Sequence, residues 1–196
     1  MKESIRILKS EHRSISAVLL GLKHLTRVAQ DATVKPDFRA FAAMIRYIDE
    51  YPERLHHPKE EALIFERLGD ACLGARPLIE DLRKEHAEGA RLVRELERAL
   101  VFFEGTWPDG WLAFSDRVEA YAEFHWRHMK KEEERLLPLA ERFFTEEDWR
   151  AVDAGFAANV DPLAQVRERD FEALFTRIVN TAPAPVGVGA PWKKIA

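Results

Sequence analysis

Two stretches decide the reading of this chain: His56-His57-Pro58-Lys59-Glu60-Glu61 and His128-Met129-Lys130-Lys131-Glu132-Glu133. Both carry the pattern H-x-x-x-E-E, and apolar residues follow each, starting at Leu63 and Leu136. In a helix, residues four apart share one face one turn apart, so an imidazole and a carboxylate at that spacing can converge on one point. Asp and Glu make up 34 of 196 residues, so two adjacent carboxylates at a given spot arise by chance roughly 3% of the time. Two such hits among 7 His are unlikely to be accidental. A bland i,i+4 His–Glu pair on a solvated face would contribute only a few tenths of a kcal/mol.

The context of these stretches is helical. A stripe of 3.6-residue period runs through Ile5, Leu8, Ile15, Leu19, Leu22 and Leu25 in a first segment, Lys2 to Val28. After a polar break, Pro36-Asp37 opens a second segment carrying Phe38, Phe41, Ile45, Ile48, Leu55, Leu63 and Phe65. Pro52 and Pro58 lie inside it and are expected to kink it. A third stripe, Leu78, Leu82, Val93, Leu96 and Leu100, ends near Gly105, and a fourth segment runs from Trp111 to Phe144. The pattern shows no strand alternation and no internal repeat of fixed length. It predicts an all-α fold: an up-down-up-down four-helix bundle over 1–145, a helical extension over 146–180 and a Pro/Gly-rich, extended or loosely ordered tail over 181–196. Thr145 and Asp148 form a capping-box start, and Asp161-Pro162 marks a last helix reaching Asn180.

Composition narrows the function. The net charge of −4 argues against a dedicated nucleic-acid binder. One cysteine, Cys72, excludes a disulfide framework and an all-thiolate metal site. No apolar run approaches the ~20 residues of a membrane span, and the N-terminus lacks the apolar core of a signal peptide, so a soluble cytoplasmic protein without membrane or nucleic-acid partners is expected.

The remaining histidines complete the argument. His12 sits on the stripe Leu8–His12–Ile15–Leu19, and His86 on Leu82–His86–Ala90–Val93. Each faces the core, where an unpartnered imidazole is costly. Taken together, His12, His56, Glu60, His86, His128 and Glu132 place one group or pair on every long helix. Mixed imidazole and carboxylate ligation suits a pair of iron or manganese ions, with zinc also compatible. With six positions per metal, four His, two bridging Glu and an oxo or hydroxo bridge leave about two positions open for exogenous ligands. His57 is expected at the rim or in a layer behind the ligands, in register with Glu61. His125, three residues before His128, and His24 are expected outside the ligand set. Tyr47, Tyr51 and Tyr121 read as hydrogen-bonded pocket or core residues.

With these residues in view, the chain resembles the hemerythrin-like family of bacterial proteins, the HHE cation-binding domains, over residues 4 to 142. The motifs are the EHR around His12, HHPKEEALIF, Glu85-His86 and HWRHMKKEEERLLPLA. The resemblance implies a four-helix bundle holding a non-haem di-iron centre, with His12, His56, Glu60, His86, His128 and Glu132 as ligands. Oxygen-carrying members have a second His one turn away in the third helix, where this chain has Leu82 and Ala90. They also use a five-residue His-to-Asp spacing in the last helix. Four His plus two Glu looks more like the iron-centre repair proteins of nitrosative stress. Ferritin-like proteins fit less well, because their signature is Glu-x-x-His. The expected function is therefore a metal-binding protein with two iron ions that meets oxygen, nitric oxide or peroxide, for sensing, binding or iron handling. The alternatives are an iron-donating repair factor for damaged iron–sulfur or di-iron enzymes, and a di-iron oxidoreductase. A third reading has the C-terminal helices and tail dock a partner or a second copy, giving a homodimer.

Overall fold

The computed structural model describes residues 2–158, 178 and 180–192. The first helix, α1 (Glu3–Val28), buries the predicted stripe. The second, α2, spans 38–71 and starts at Asp37, whose carboxylate accepts from Arg39 N–H. The third, α3 (Arg76–Thr106), follows a single 3₁₀ turn at Leu73–Ala75. The fourth, α4, spans 111–143. A shorter helix, α5 (Glu146–Ala157), begins with the predicted capping box between Thr145 and Asp148. The molecule is thus all-α among its described residues, with four long helices: α1 lies against α2 and α4, and α3 against the same two. The helix expected from Asp161 lies almost wholly outside the described residues. None of the described helices is long and apolar enough to cross a membrane.

The prolines do not break α2. Pro52 sits in a π-helical stretch, Asp49–His56, and Pro58 in the first turn of the short α-helical piece His57–Glu60. A proline lacks the N–H and crowds the carbonyl four residues back. Around Pro52 the chain takes wider turns, and His57 N–H reaches back five residues to Pro52 C=O. Two more π turns, Glu61–Phe65 and Glu132–Leu136, directly follow Glu60 and begin at Glu132. Such turns re-aim side chains at functional sites.

The core is divided. One apolar cluster gathers Ile15, Leu19, Leu22, Phe41, Met44, Leu96, Phe103, Phe114 and Tyr121. The other gathers Ile5, Leu8, Ile64, Phe65, Leu68, Leu82, Leu136, Trp149, Val152 and Phe156. Between them, every long helix contributes buried polar residues: Glu11 and His12; His56, His57, Lys59 and Glu60; His86; and His125, His128 and Glu132. The described residues of the tail, 181–192, pack on the bundle. Ala182 is fully buried, Trp192 packs on Phe41 with ring centroids 5.9 Å apart, and Val186 fills the space beside Gly21.

Candidate metal centre

The four histidines of the predicted set share one arrangement. The Nδ1 of His12 lies 2.9 Å from Glu133, that of His56 2.8 Å from Glu11, that of His86 2.6 Å from Glu61 and that of His128 2.9 Å from Glu85. An ionised carboxylate only accepts, so each Nδ1 carries the proton and donates it. In the neutral ring this leaves the lone pair on Nε2, the tautomer a metal requires; with no metal bound, and against the effect of burial, the facing carboxylates favour a second proton on His12 and His128. All four Nε2 atoms are buried without a hydrogen-bond partner, and so are both oxygens of Glu60 and of Glu132.

These eight atoms face one another. Glu60 turns Oε1 toward His56 (3.6 Å) and His12 (3.9 Å) and Oε2 toward His86 (3.7 Å). Glu132 turns Oε2 toward His12 (3.4 Å) and Oε1 toward His86 (3.6 Å) and His128 (3.1 Å). Each carboxylate therefore spans two histidine groups, as a bridging ligand must. Two sets of four result, His12–His56–Glu60–Glu132 and His86–His128–Glu60–Glu132, each with its ligand atoms within 4.8 Å of one another. Adjacent ligands about 2.1 Å from one ion lie about 3 Å apart, so the cavity is slightly open but close to the required size. The donor set fits a pair of divalent ions. Without them, these eight buried polar atoms have no hydrogen-bond partner and only their charge attraction for one another offsets desolvation.

The electrostatics agree. Burial, and then the facing Glu132 carboxylate, push Glu60 well above the usual carboxylate range. Glu132, equally buried, is held well below it by His128, His12 and His86. Burial opposes ionisation of Glu11, but His56 and Lys59 outweigh it and hold its carboxyl at about 2. Lys59 is itself buried, with Nζ 2.5 Å from Glu11. On the other side Lys131 donates in the same way to Glu85.

A repeat emerges that periodicity did not reveal. Glu11-His12 corresponds to Glu85-His86, 74 positions on, and His56, Lys59, Glu60 and Glu61 correspond to His128, Lys131, Glu132 and Glu133, 72 positions on. The first Glu of each half holds the second His of the same half, whereas the last Glu holds the first His of the other half. The four orienting carboxylates and two lysines were not singled out from sequence as functional. The signal was present in the two EH dipeptides and in the second Glu of each H-x-x-K-E-E, but the partners lie on different helices.

His57 departs from expectation. It does not pair with Glu61, which holds His86; its Nδ1 lies 3.3 Å from Glu53, one turn earlier. A ring nitrogen of His57 comes within 4.8 Å of those of His86 and His128. Its ring, however, stacks on His86 with centroids 4.0 Å apart and planes 8° from parallel. An ion bound in the plane of one stacked ring lies outside the plane of the other, so the pair cannot share it. Glu53 also accepts from Tyr121 Oη–H (2.9 Å) and faces His125 Nε2 (3.2 Å). Gly89 on α3 makes room, since a Cβ there would lie 2.9 Å from Glu53 Oε1. His125 and His57 thus form a layer behind the facing histidines and carboxylates. His24 lies half-buried, away from the centre, in a groove with Leu25 and Trp192.

Comparison with known families finds a match between residues 3–140 and the hemerythrin HHE cation-binding domain. No curated protein matches the chain.

Proposed function

Because the chain belongs to the hemerythrin HHE cation-binding domain family, we propose that its centre holds two iron ions. His12 and His56 would ligate one, His86 and His128 the other, and Glu60 and Glu132 would bridge them. The observation that carries this reading is the convergence of four partnerless Nε2 atoms on four partnerless carboxylate oxygens. When bound, the ions would supply open positions for a small ligand such as oxygen, nitric oxide or peroxide. The chain's own residues do the rest. Glu11, Glu61, Glu85 and Glu133 fix the tautomer and aim of each imidazole. The apolar clusters on either side exclude bulk water and strengthen each charge contact within.

Metal analysis with an optical spectrum, taken with and without oxygen and nitric oxide, tests the reading. Two iron ions per chain and a near-ultraviolet ligand-to-iron charge-transfer band that responds to the gas are expected. One ion per chain or none overturns it.

A second reading, an iron donor to damaged iron–sulfur or di-iron enzymes, draws on the outer carboxylates Glu61, Glu85 and Glu133, which reach solvent. Donation beyond that of free iron, lost in His128→Ala, would support it.

A further inference from the structure

The ligand set is nearly two-fold symmetric, but its surroundings are not. In one half, Glu11 and Lys59, which seat His56, are 7% and 2% exposed. The Phe156 ring of α5 lies over Lys59, 4.7 Å from its Nζ. In the other half, Glu85 and Lys131, which seat His128, are 26% and 22% exposed, and Lys131 shares its charge with Asp81 at the surface. The remaining two arms do not differ, since Glu133 and Glu61 are 35% and 36% exposed. The asymmetry therefore resides in the His56 and His128 arms, and α5 is its source on the covered side.

The covering helix is anchored. Asp153 accepts from Ser4 N–H (2.8 Å) and Oγ–H (2.5 Å), and Lys2 reaches Glu146. Gly155 lies flush against Leu63, where a Cβ would come within 2.6 Å of the leucine tip. α5 thus bears on α1 and on the π turn that follows Glu60.

We propose that the two metal positions are unequal: the His12–His56 ion is retained beneath α5, while the His86–His128 ion exchanges with solution. This rests on the reading of a two-metal centre. An ion leaves by losing ligands one at a time, and an imidazole lets go when it rotates away and water takes its place. His128 can do so because its carboxylate partner already meets water, which competes for the Nδ1–H. His56 does so more slowly, because its partner is nearly buried and ion-paired to a buried lysine that the Phe156 ring covers. The centre would then keep one ion in place and deliver or accept the other, which suits iron handling.

The test is release of ferrous iron, bound anaerobically at two ions per chain, to an excess of a colorimetric ferrous chelator. Two phases of equal amplitude are expected, separated by about tenfold or more in rate, the scale on which partners behind a ligand act. Glu85→Gln should accelerate the fast phase alone. Phe156→Ala should accelerate the slow phase alone, and Asp153→Asn, which loosens α5 without opening the core, should do so more weakly. A single phase from protein carrying two ions overturns the inference and leaves the two-metal reading standing. So does equal acceleration of both phases by Phe156→Ala. Fewer than two ions bound overturns both.

Discussion

At the scale of single residues, the centre is a rule applied four times: a histidine whose outer nitrogen donates to a carboxylate offers its inner nitrogen to a metal. Glu11 shows what this costs a metal-free chain. Its folded pKa of about 2 lies below the ordinary 4.5, so its ionisation contributes stability above about pH 4.5 that is lost as pH falls toward 2. His56, driven by burial to about 4 from 6.5, adds to this, because the unfolded chain takes up a proton below pH 6.5 that the folded one refuses. These two groups should make the metal-free protein lose stability on acidification below about pH 6.5, against a partial recovery from Glu60, whose raised pKa returns stability as it takes up its proton. The Glu11 and His56 shifts are each worth about 3 kcal/mol. In Glu11→Gln the pH 7 stability should drop, since Lys59 keeps its charge without a counter-ion, and the fall between pH 4.5 and 2 should flatten by about that amount. Urea titrations at a series of pH values measure both, and an unchanged acid limb would contradict the assignment. His56, Glu60, His128 and Glu132 were legible in the sequence because their spacing lies within one turn of one helix. The pairing of Glu11 with His56 was not, because the two lie 45 positions apart on different helices.

At the scale of elements, the helix stripes and caps were readable from local rules, as Asp37 and Thr145 show, whereas the π turns were not. Periodicity places residues on a face but does not register one extra residue per turn, so the π-helical stretch around Pro52 and the return to an α-helical turn at Pro58 were not foreseen. The packing of the tail's described residues was not legible for a related reason. The tail's Pro and Gly forbid a helix, but they do not prevent Val186 and Trp192 from finding apolar partners on the bundle. The capping box of α5 links this scale to the metals. Thr145→Ala removes the acceptor for Asp148 N–H and should cost about 1 kcal/mol, local to α5. Its effect should be a lower melting temperature and faster release of the slow ion, with the fast ion unaffected. Loss of stability with both release rates unchanged would separate α5 from the centre.

At the scale of the whole molecule, a polar belt crosses the bundle between two apolar clusters, and each cluster can hold its own end of the helices together. The metal-free chain should accordingly keep its helices, while the belt, with Glu60 and Glu132 facing each other unsatisfied, is its weakest layer. Two ions would join all four long helices through that layer. An ion at a thousandfold excess over its Kd stabilises the folded state by about 4 kcal/mol. For a chain of 196 residues this corresponds to a rise in melting temperature of roughly 10 °C per ion. Helical circular dichroism should change little on loading, because the gain comes from linking helices rather than forming them. His128→Ala removes a ligand of one ion and leaves the His12–His56 set intact, so iron should still raise its melting temperature, by about half as much. The same rise in His128→Ala as in the unaltered chain would mean that the second position contributes no folding energy, and no rise in either would mean that the belt is not where the metal binds.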